Sequence, residues 1–246
     1  PSPSASVDVI QHVTIASNSN SIDFGDLLSG QGWEQMSGCS DRTRGVIGGG
    51  YQNPQSPATK NVISYVTIQS LGDALDFGDL TVARSALSAA SSPTRGVFMG
   101  GRTAPGNDDK VTTIDFVTIS TLGNAADFGD LTVATSHGGG CSNAVRAISG
   151  QGYQGPGYNS RVNSIDFITI ASTGDSQDFG DMTRVGSNAS AACSATRMVI
   201  GSSTGPGVID FLTIATQGNT VTFGDMQVDR SSFAAMSDCV RGVFAG

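Results

Sequence analysis

Apolar and polar positions along this chain recur in a pattern that repeats about every 50 residues. One copy begins with an apolar-to-small segment at residues 80–92 and continues with the apolar run 97–99. A polar loop at 102–110 is followed by a β-branched segment at 114–119 and a last short segment that ends at residue 130. Segments rich in β-branched and aromatic residues, bounded by Gly, Asn and Ser, are typical of strands. The pattern predicts four short strands in each repeat.

The tripeptide Phe-Gly-Asp closes each repeat and occurs five times. The spacings between successive copies are 53, 51, 51 and 44 residues, and passing from the last copy through the chain end to the first gives another 47. A Gly-Asn or similar two-residue turn stands before each copy and predicts a hairpin between the third and fourth strands. A unit of this length with four strands is typical of a propeller blade. The copies begin at Phe24, Phe77, Phe128, Phe179 and Phe223.

The two chain ends are expected to share one blade. The sequence starts at the third strand of a repeat and stops after a second strand, so the strand at 241–244 should pair with the strand at 12–15. Such closure would leave only short, protected sheet edges. We therefore predict an all-β fold in which residues 1–246 form a single five-bladed β-propeller with four-stranded antiparallel blades. The predicted blades cover residues 27–79, 80–130, 131–181, 182–225, and 226–246 together with 7–26.

Charge and motif content exclude several classes of protein. Asp and Glu number 21 against 13 Lys and Arg, giving a net charge of −8, which opposes the binding of nucleic acid. No apolar run approaches the length of a membrane span, so no membrane insertion is expected. The chain lacks a phosphate-binding loop, a nucleophile elbow and a His-Glu-x-x-His motif. We predict no enzyme activity, no catalytic residue, no cofactor and no metal.

The four cysteines have no metal-binding spacing. Cys39, Cys141 and Cys193 fall at nearly the same place in different repeats, and Cys239 lies near the C-terminus. Equivalent points on separate blades are usually farther apart than the 7 Å or so between Cα atoms that a disulfide tolerates. We expect four separate thiols that act as small packing residues.

A candidate ligand site lies where the repeats differ. Alignment on Phe-Gly-Asp brings Trp33, Ala86, His137, Asn188 and Ser232 to one position near the start of the innermost strand. In a propeller this is the mouth of the central channel, on the face that carries the connections from the second to the third strand and from each blade to the next (the loop face). Tyrosines in the loops after the second strand add aromatic surface, a chemistry that suits adaptable recognition of sugars. The candidate ligand-binding residues are Trp33, Glu34, Tyr51, His137, Tyr153, Tyr158 and Asn188.

A packing role for the same residues stays open. A five-bladed channel is narrow, so Trp33 could fill it, and the loop residues could be ordinary solvated loop.

Two charged residues recur in every repeat. Five-fold recurrence favours a structural task, such as charged hydrogen bonds between blades, over binding of an anion or a metal. The recurring aspartates are Asp26, Asp79, Asp130, Asp181 and Asp225. The recurring arginines are Arg44, Arg95, Arg146, Arg197 and Arg241.

The order of motifs resembles kelch repeats. The shared order runs from an arginine through small residues to Val-Phe-x-Gly-Gly, then a loop, an aromatic strand, Gly-Asn and a second aromatic residue, and the Gly pair is intact at Gly48-Gly49 and Gly100-Gly101 but broken at 150–152 and 201–202. The chain departs from kelch in having Phe in place of the fourth-strand Trp, and the first-strand arginine is present only as Arg84 and Arg230. The wording of the repeat, IDFVTISTLGNAADFGDLTVA, is similar to repeats in virion and tail-fibre-like proteins of marine phages, especially cyanophages.

These features together predict a binding or structural protein. The phage-like wording implies a non-enzymatic module of a virus particle, an appendage, fibre-tip or surface protein that contacts other virion proteins or host surface glycans. The alternative is an extracellular or cell-surface carbohydrate-binding lectin of cellular origin. A hydrolase with its active site at the channel mouth is the remote alternative. Propellers host many functions, so the fold does not choose among these.

Overall fold

Every regular element in the described part of the chain is a β-strand. The structure is a computed structural model and describes residues 8–14, 17, 19–29, 34–52, 58–104, 109–155, 160–202, 207–228 and 232–245. Within these ranges there are twenty strands, and all of their pairings are antiparallel. No helix in these ranges is long and apolar enough to cross a membrane.

Four sheets of four strands form the blades of a β-propeller, and each blade follows chain order from the axis outwards. Blade 1 contains β3 (Ser37–Ser40), β4 (Arg44–Gly48), β5 (Val62–Thr67) and β6 (Leu75–Asp79). Blade 2 contains β7 (Ser88–Ser91), β8 (Arg95–Met99), β9 (Thr113–Thr118) and β10 (Ala126–Asp130). Blade 3 contains β11 (Gly139–Ser142), β12 (Arg146–Tyr153), β13 (Arg161–Thr169) and β14 (Gln177–Gly186). Blade 4 contains β15 (Ser190–Cys193), β16 (Arg197–Gly201), β17 (Val208–Thr213) and β18 (Val221–Asp225).

The prediction of five blades is wrong, because the propeller has four. The terminal strands form two separate two-stranded sheets, β1 (Val9–His12) with β2 (Ile22–Asp26) and β19 (Ala234–Ser237) with β20 (Gly242–Ala245). The expected pairing between the strands at 241–244 and 12–15 does not occur among the described residues.

The Phe-Gly-Asp motif and the two-residue turn act together as a clasp between neighbouring blades. In blade 1 the backbone N–H of Asp79 donates to Asn124 Oδ1 of the blade 2 turn at 3.0 Å, and the Gly123 N–H donates to the Phe77 carbonyl oxygen at 2.8 Å. The motif glycine, Gly78, has a φ of +145°, and a Cβ there would lie 2.4 Å from the Gly123 oxygen. Only glycine fits this conformation and this approach. The same side-chain bond recurs at 3.0 Å in the pairs Asp26–Asp73, Asp130–Asp175 and Asp181–Asn219.

Among the described residues the fifth copy of the clasp is not made, which agrees with four blades instead of five. A Cβ on Gly224 would meet nothing within 4 Å, whereas its four counterparts face the next turn at under 3 Å. Phe223 is 60% exposed, whereas the four other motif phenylalanines are at most 8% exposed. The repeat therefore encodes a contact with the next hairpin at every copy, but no hairpin in the described part of the chain receives the motif of blade 4.

The recurring arginines lie across the same blade interfaces. Arg44 Nη1 donates to the Ile119 carbonyl oxygen of blade 2 at 2.9 Å, and its guanidinium carbon lies 4.9 Å from the ring centroid of Tyr65. Arg95 donates to blade 3 at 3.0 Å and Arg146 to blade 4 at 2.9 Å, each from above its own third-strand aromatic ring. Arg197 keeps the ring contact, 5.2 Å above Phe211. Each interface so joined combines a charged hydrogen bond with a cation–π contact.

Small residues allow the innermost strands to approach each other around the axis. The first strands of adjacent blades are in contact, and β19 packs against β15. A Cβ on Gly139 would lie 3.2 Å from the Ala189 backbone, and one on Gly140 would lie 2.9 Å from Ser88 Cβ. The stretches of Ser, Ala and Gly at the starts of the repeats therefore follow from close strand packing.

Buried carboxylates hold the segments that enter each blade. Asp115 Oδ1 accepts from the Thr81 hydroxyl at 2.6 Å, and the same contact recurs as Thr132 with Asp166 and Thr183 with Asp210. In blade 2 the carboxylate also binds Arg84 at 2.9 Å, and both side chains are fully buried. Arg84 donates further to the carbonyl oxygens of Thr113 and Phe98 through its two terminal nitrogens, whereas its buried Nε has no hydrogen-bond partner among the described residues.

Candidate functional site

Five residues with a left-handed backbone conformation surround the channel mouth on the loop face. Their φ values lie between +48° and +60°, and each stands two residues before an innermost strand. Two extra residues stand between Phe-Gly-Asp and β3 in the first repeat, so the position assigned to Trp33 belongs to Gln35. Trp33 itself lies outside the described residues. The five residues are Gln35, Ala86, His137, Asn188 and Ser232.

Backbone hydrogen bonds link these positions from blade to blade. The Ala86 N–H donates to the Gln35 carbonyl oxygen and the His137 N–H to the Ala86 carbonyl oxygen, both at 2.8 Å. The Ala189 N–H continues the chain to the His137 carbonyl oxygen at 3.4 Å. The side chains of this ring therefore stand on a fixed backbone, which pre-organises them for binding.

A second ring of larger side chains lies beside the first. Glu34 pairs with Tyr51 through two backbone hydrogen bonds, of 3.1 and 2.7 Å. Ser85 pairs with Arg102 in the same way, and Ser136 with Tyr153. Tyr51, Arg102 and Tyr153 thus occupy equivalent positions, 51 residues apart. Tyr51 and Tyr153 are predicted site residues and Arg102 is not, although the 51-residue spacing marks its position as equivalent.

Arg102 connects two blades at the mouth. Its side chain is buried, and its Nη2 donates to Gln35 Oε1 at 2.8 Å. The same oxygen lies 3.4 Å from the Ser85 hydroxyl. Beside it, Lys110 donates to the Gly155 carbonyl oxygen of blade 3 at 2.6 Å. Cations from blade 2 therefore reach both neighbouring blades at the rim.

His137 and Tyr153 form the aromatic part of the site in blade 3. Their ring centroids lie 5.5 Å apart in an edge-to-face arrangement, and His137 Nδ1 lies 3.0 Å from the Ser136 hydroxyl. The guanidinium carbon of Arg161 lies 5.7 Å from the Tyr153 ring centroid. Burial, followed by the charges of Arg102 and Lys110, lowers the pKa of His137 to about 4. The imidazole is neutral at pH 7 and can accept or donate one hydrogen bond.

This lowered pKa makes the stability of the protein depend on pH. Between pH 6.5 and about 4 the unfolded chain protonates this histidine while the folded protein does not, so stability falls as the pH falls. His137→Gln should remove this pH dependence, which amounts to a loss of about 2–3 kcal/mol in the free energy of unfolding between pH 6.5 and about 4. Urea unfolding of both proteins at pH 7, 5.5 and 4 measures it. Equal pH slopes in the two proteins would contradict the assigned environment of His137.

Of the other predicted site residues, some lie on the rim and one lies outside the residues that the structure describes. Asn188 is half-buried in the left-handed ring, and Glu34 is exposed beside Gln35. Tyr158 lies outside the described residues. The structure therefore pairs Glu34 with Tyr51 and His137 with Tyr153, and places Asn188 at an equivalent position of the next repeat.

The channel below the mouth is a cavity of about 370 Å³. Its lining comes from the innermost strands and includes Leu87, Gly140, Ser190 and Phe233. Small side chains and backbone dominate it, so the channel offers few groups for specific recognition. Chemical variety is concentrated at the rim above it.

All four cysteines are free thiols, and two of them lie at one blade interface. Cys141 and Cys193 are not at equivalent positions, because Cys193 aligns with Ser142. This offset places Cys193 against the buried cluster that contains Cys141, at the interface of blades 3 and 4. Among the described residues, no group of three or more His, Cys, Asp or Glu side chains is arranged to hold a metal ion.

Comparison with known proteins adds no assignment. No family model matches the chain, and no curated protein matches it significantly.

Proposed function

We propose that this protein is a non-enzymatic binding and structural module of a virus particle, which binds acidic glycans through the rim of its loop face. The observation that carries the binding proposal is the partly exposed ring of Tyr51, held at the rim in the same way as the buried Arg102 and Tyr153 by paired backbone hydrogen bonds. The virion assignment is supported by the phage-like wording of the repeats. Kelch-like repeats remain a resemblance of motif order.

The aromatic groups suit the apolar faces of sugar rings. Tyr51 is half-buried, so part of its ring is open to solvent, and His137 is held edge-on to Tyr153. Rigid aromatic side chains lose little conformational entropy on binding. The amides of Gln35 and Asn188 lie on the same rim and can serve sugar hydroxyls.

The cations favour ligands with carboxylate or sulfate groups. Arg102 and Lys110 both act on His137 electrostatically, and Arg161 lies over Tyr153, so three positive charges surround one aromatic pair. The chain as a whole carries a net charge of −8. A positive rim on an acidic protein attracts anions locally while the remaining surface repels them. Glu34, next to the Gln35 that Arg102 binds, adds a negative charge that limits the orientation in which an anionic sugar can enter.

The test is binding to an array of neutral and acidic glycans. Tyr51→Ala should weaken binding roughly 30-fold, the effect of losing about 2 kcal/mol at a hot spot. Arg161→Gln should weaken binding to acidic glycans roughly fivefold and leave neutral ones nearly unchanged. Arg42→Gln is the matched control, because Arg42 is an exposed arginine of the β3–β4 turn on the opposite face.

Two outcomes would contradict the proposal. If Arg42→Gln abolishes binding and Tyr51→Ala leaves it intact, the binding site lies on the face opposite the loop face. Binding of neutral glycans alone would remove the role of the cations. Mass spectrometry of purified virus particles tests the virion assignment separately, and recovery of the chain only from cell surfaces would favour a cellular lectin.

A further inference from the structure

A side-chain hydrogen bond of the same kind recurs between neighbouring innermost strands. Ser91 Oγ donates to the Ser40 carbonyl oxygen at 2.8 Å, and Ser142 Oγ to that of Ser91 at 2.6 Å. At the next interface the donor is a thiol, because Cys193 Sγ donates to the Ser142 carbonyl oxygen at 2.8 Å. Ser237 completes the series on the Cys193 carbonyl oxygen at 2.5 Å. Cys193 therefore occupies a position that serine fills in the other described repeats.

The replacement of serine by cysteine places a second thiol beside the first. Cys141 precedes Ser142 in β11, and Cys193 packs against the buried apolar cluster that contains Cys141. Cys141 is buried at 8% exposure, whereas Cys193 is partly exposed and lines two open cavities of about 420 and 620 Å³. A reagent can therefore reach Cys193 directly but can reach Cys141 only through it.

We propose that Cys141 and Cys193 form a reversible disulfide that links blade 3 to blade 4, made by exchange with a small organic disulfide. The proposal is independent of glycan binding and of the virion assignment.

The chemistry proceeds in two displacement steps. The Cys193 thiol loses its proton to solvent, and the thiolate attacks one sulfur of the organic disulfide, whose S–S bond breaks as the mixed disulfide forms. The departing thiolate takes up a proton. Cys141 then loses its proton, and its sulfur attacks Cys193 Sγ and displaces the second small thiolate, which is protonated in turn. The protein dithiol is oxidised by two electrons, and one organic disulfide is reduced to two thiols.

The electrostatics of the pair favour this order. The contact with Cys141 lowers the pKa of the Cys193 thiol, while the contact with Cys193, and burial, raise that of Cys141. The accessible sulfur is thus the one that ionises first, as in other dithiols with an attacking and a resolving cysteine. Burial raises the pKa of Cys39 to about 12, which makes it a slow internal reference.

Cys239 is the competing partner. It is exposed and lines the same two cavities as Cys193. However, Cys193 packs against the apolar cluster that contains Cys141, and within the described residues Cys239 is not part of that packing. The experiment must distinguish these two pairs.

The test is incubation of the reduced full chain with oxidised glutathione, followed by peptide mapping. The wild type should lose two thiols and give a cross-linked peptide pair that contains Cys141 and Cys193. Cys141→Ser should instead retain glutathione on Cys193. In Cys193→Ser, a substitution that reproduces the serine of the other repeats, thiol loss at Cys141 should slow at least about tenfold. Cys239→Ser is the control and should leave the Cys141–Cys193 cross-link unchanged.

Three results would overturn the proposal. They are a cross-link between Cys193 and Cys239, a stable glutathione adduct with no cross-link in the wild type, and loss of Cys193 no faster than loss of Cys39. Because the mapping uses the wild type, the conclusion does not depend on the folding of any variant.

Discussion

Phe128→Ala should lower the free energy of unfolding by about 3–5 kcal/mol, whereas Phe223→Ala should lower it by about 1 kcal/mol or less. Both residues open a Phe-Gly-Asp motif, so sequence alone makes them equal. In the structure Phe128 is 3% exposed and Phe223 is 60% exposed. The burial behind Phe128 comes from the next blade, whose turn closes over it, and a large buried side chain leaves a cavity when it is truncated.

The two variants form a matched pair, because each phenylalanine keeps an edge-to-face contact with the aromatic residue of its own third strand. The ring centroids lie 5.9 Å apart for Phe116 and Phe128 and 6.1 Å apart for Phe211 and Phe223. Loss of this contact affects both variants, so the difference between them isolates packing against the following blade. Urea unfolding at pH 7 measures the two changes. Equal losses would mean that Phe223 is covered in solution, against the four-bladed arrangement.

Removal of one member of the buried Arg84–Asp115 pair should cost about 3–5 kcal/mol. Asp115→Leu leaves the guanidinium of Arg84 buried with carbonyl oxygens only, and Arg84→Met leaves the carboxylate with the Thr81 hydroxyl and backbone N–H. An unpaired charge in the core pays its full desolvation cost. The double variant Arg84→Met/Asp115→Leu should lose less than either single variant, because apolar groups of similar volume need no partner.

A double-mutant cycle in urea measures this coupling. Additive losses in the double variant would contradict a direct pair. Thr132→Val, at the matched contact with Asp166 in blade 3, is the control. It removes one hydroxyl without stranding a charge, and it should cost about 1 kcal/mol.

Local sequence patterns predicted the blade but not the way blades meet. The β-branched and aromatic segments predicted four antiparallel strands in each repeat, and the four blades have them. The hairpin turn at Gly123 was also recognisable, because a two-residue turn carries its own signature. The contact between this turn and the Phe-Gly-Asp motif of the preceding blade could not be recognised, because the two residues are 45 apart and nothing in the sequence indicates that they pair.

At the rim of the loop face, the sequence likewise predicts some of the residues and not others. His137 and Tyr153 were found because they are unusual residues at repeat-specific positions. Arg102 was missed because it stands at the start of a variable loop, and its importance comes from a hydrogen bond to Gln35, 67 residues away. Trp33 was placed in the ring by counting from Phe-Gly-Asp, and two extra residues before β3 moved that place to Gln35.

The all-β class, the four strands of each blade and the repeating propeller unit follow from local sequence, because they depend on hydrophobic period and turn chemistry within about 50 residues. The number of blades depends on contacts between repeats. Closure requires the sum of the small rotations between blades to bring the first hairpin against the last sheet, and no single repeat encodes that sum. The tertiary structure also places Cys193 beside Cys141, because each innermost strand is staggered against its neighbour, so that the Cys193 thiol binds the carbonyl oxygen of Ser142.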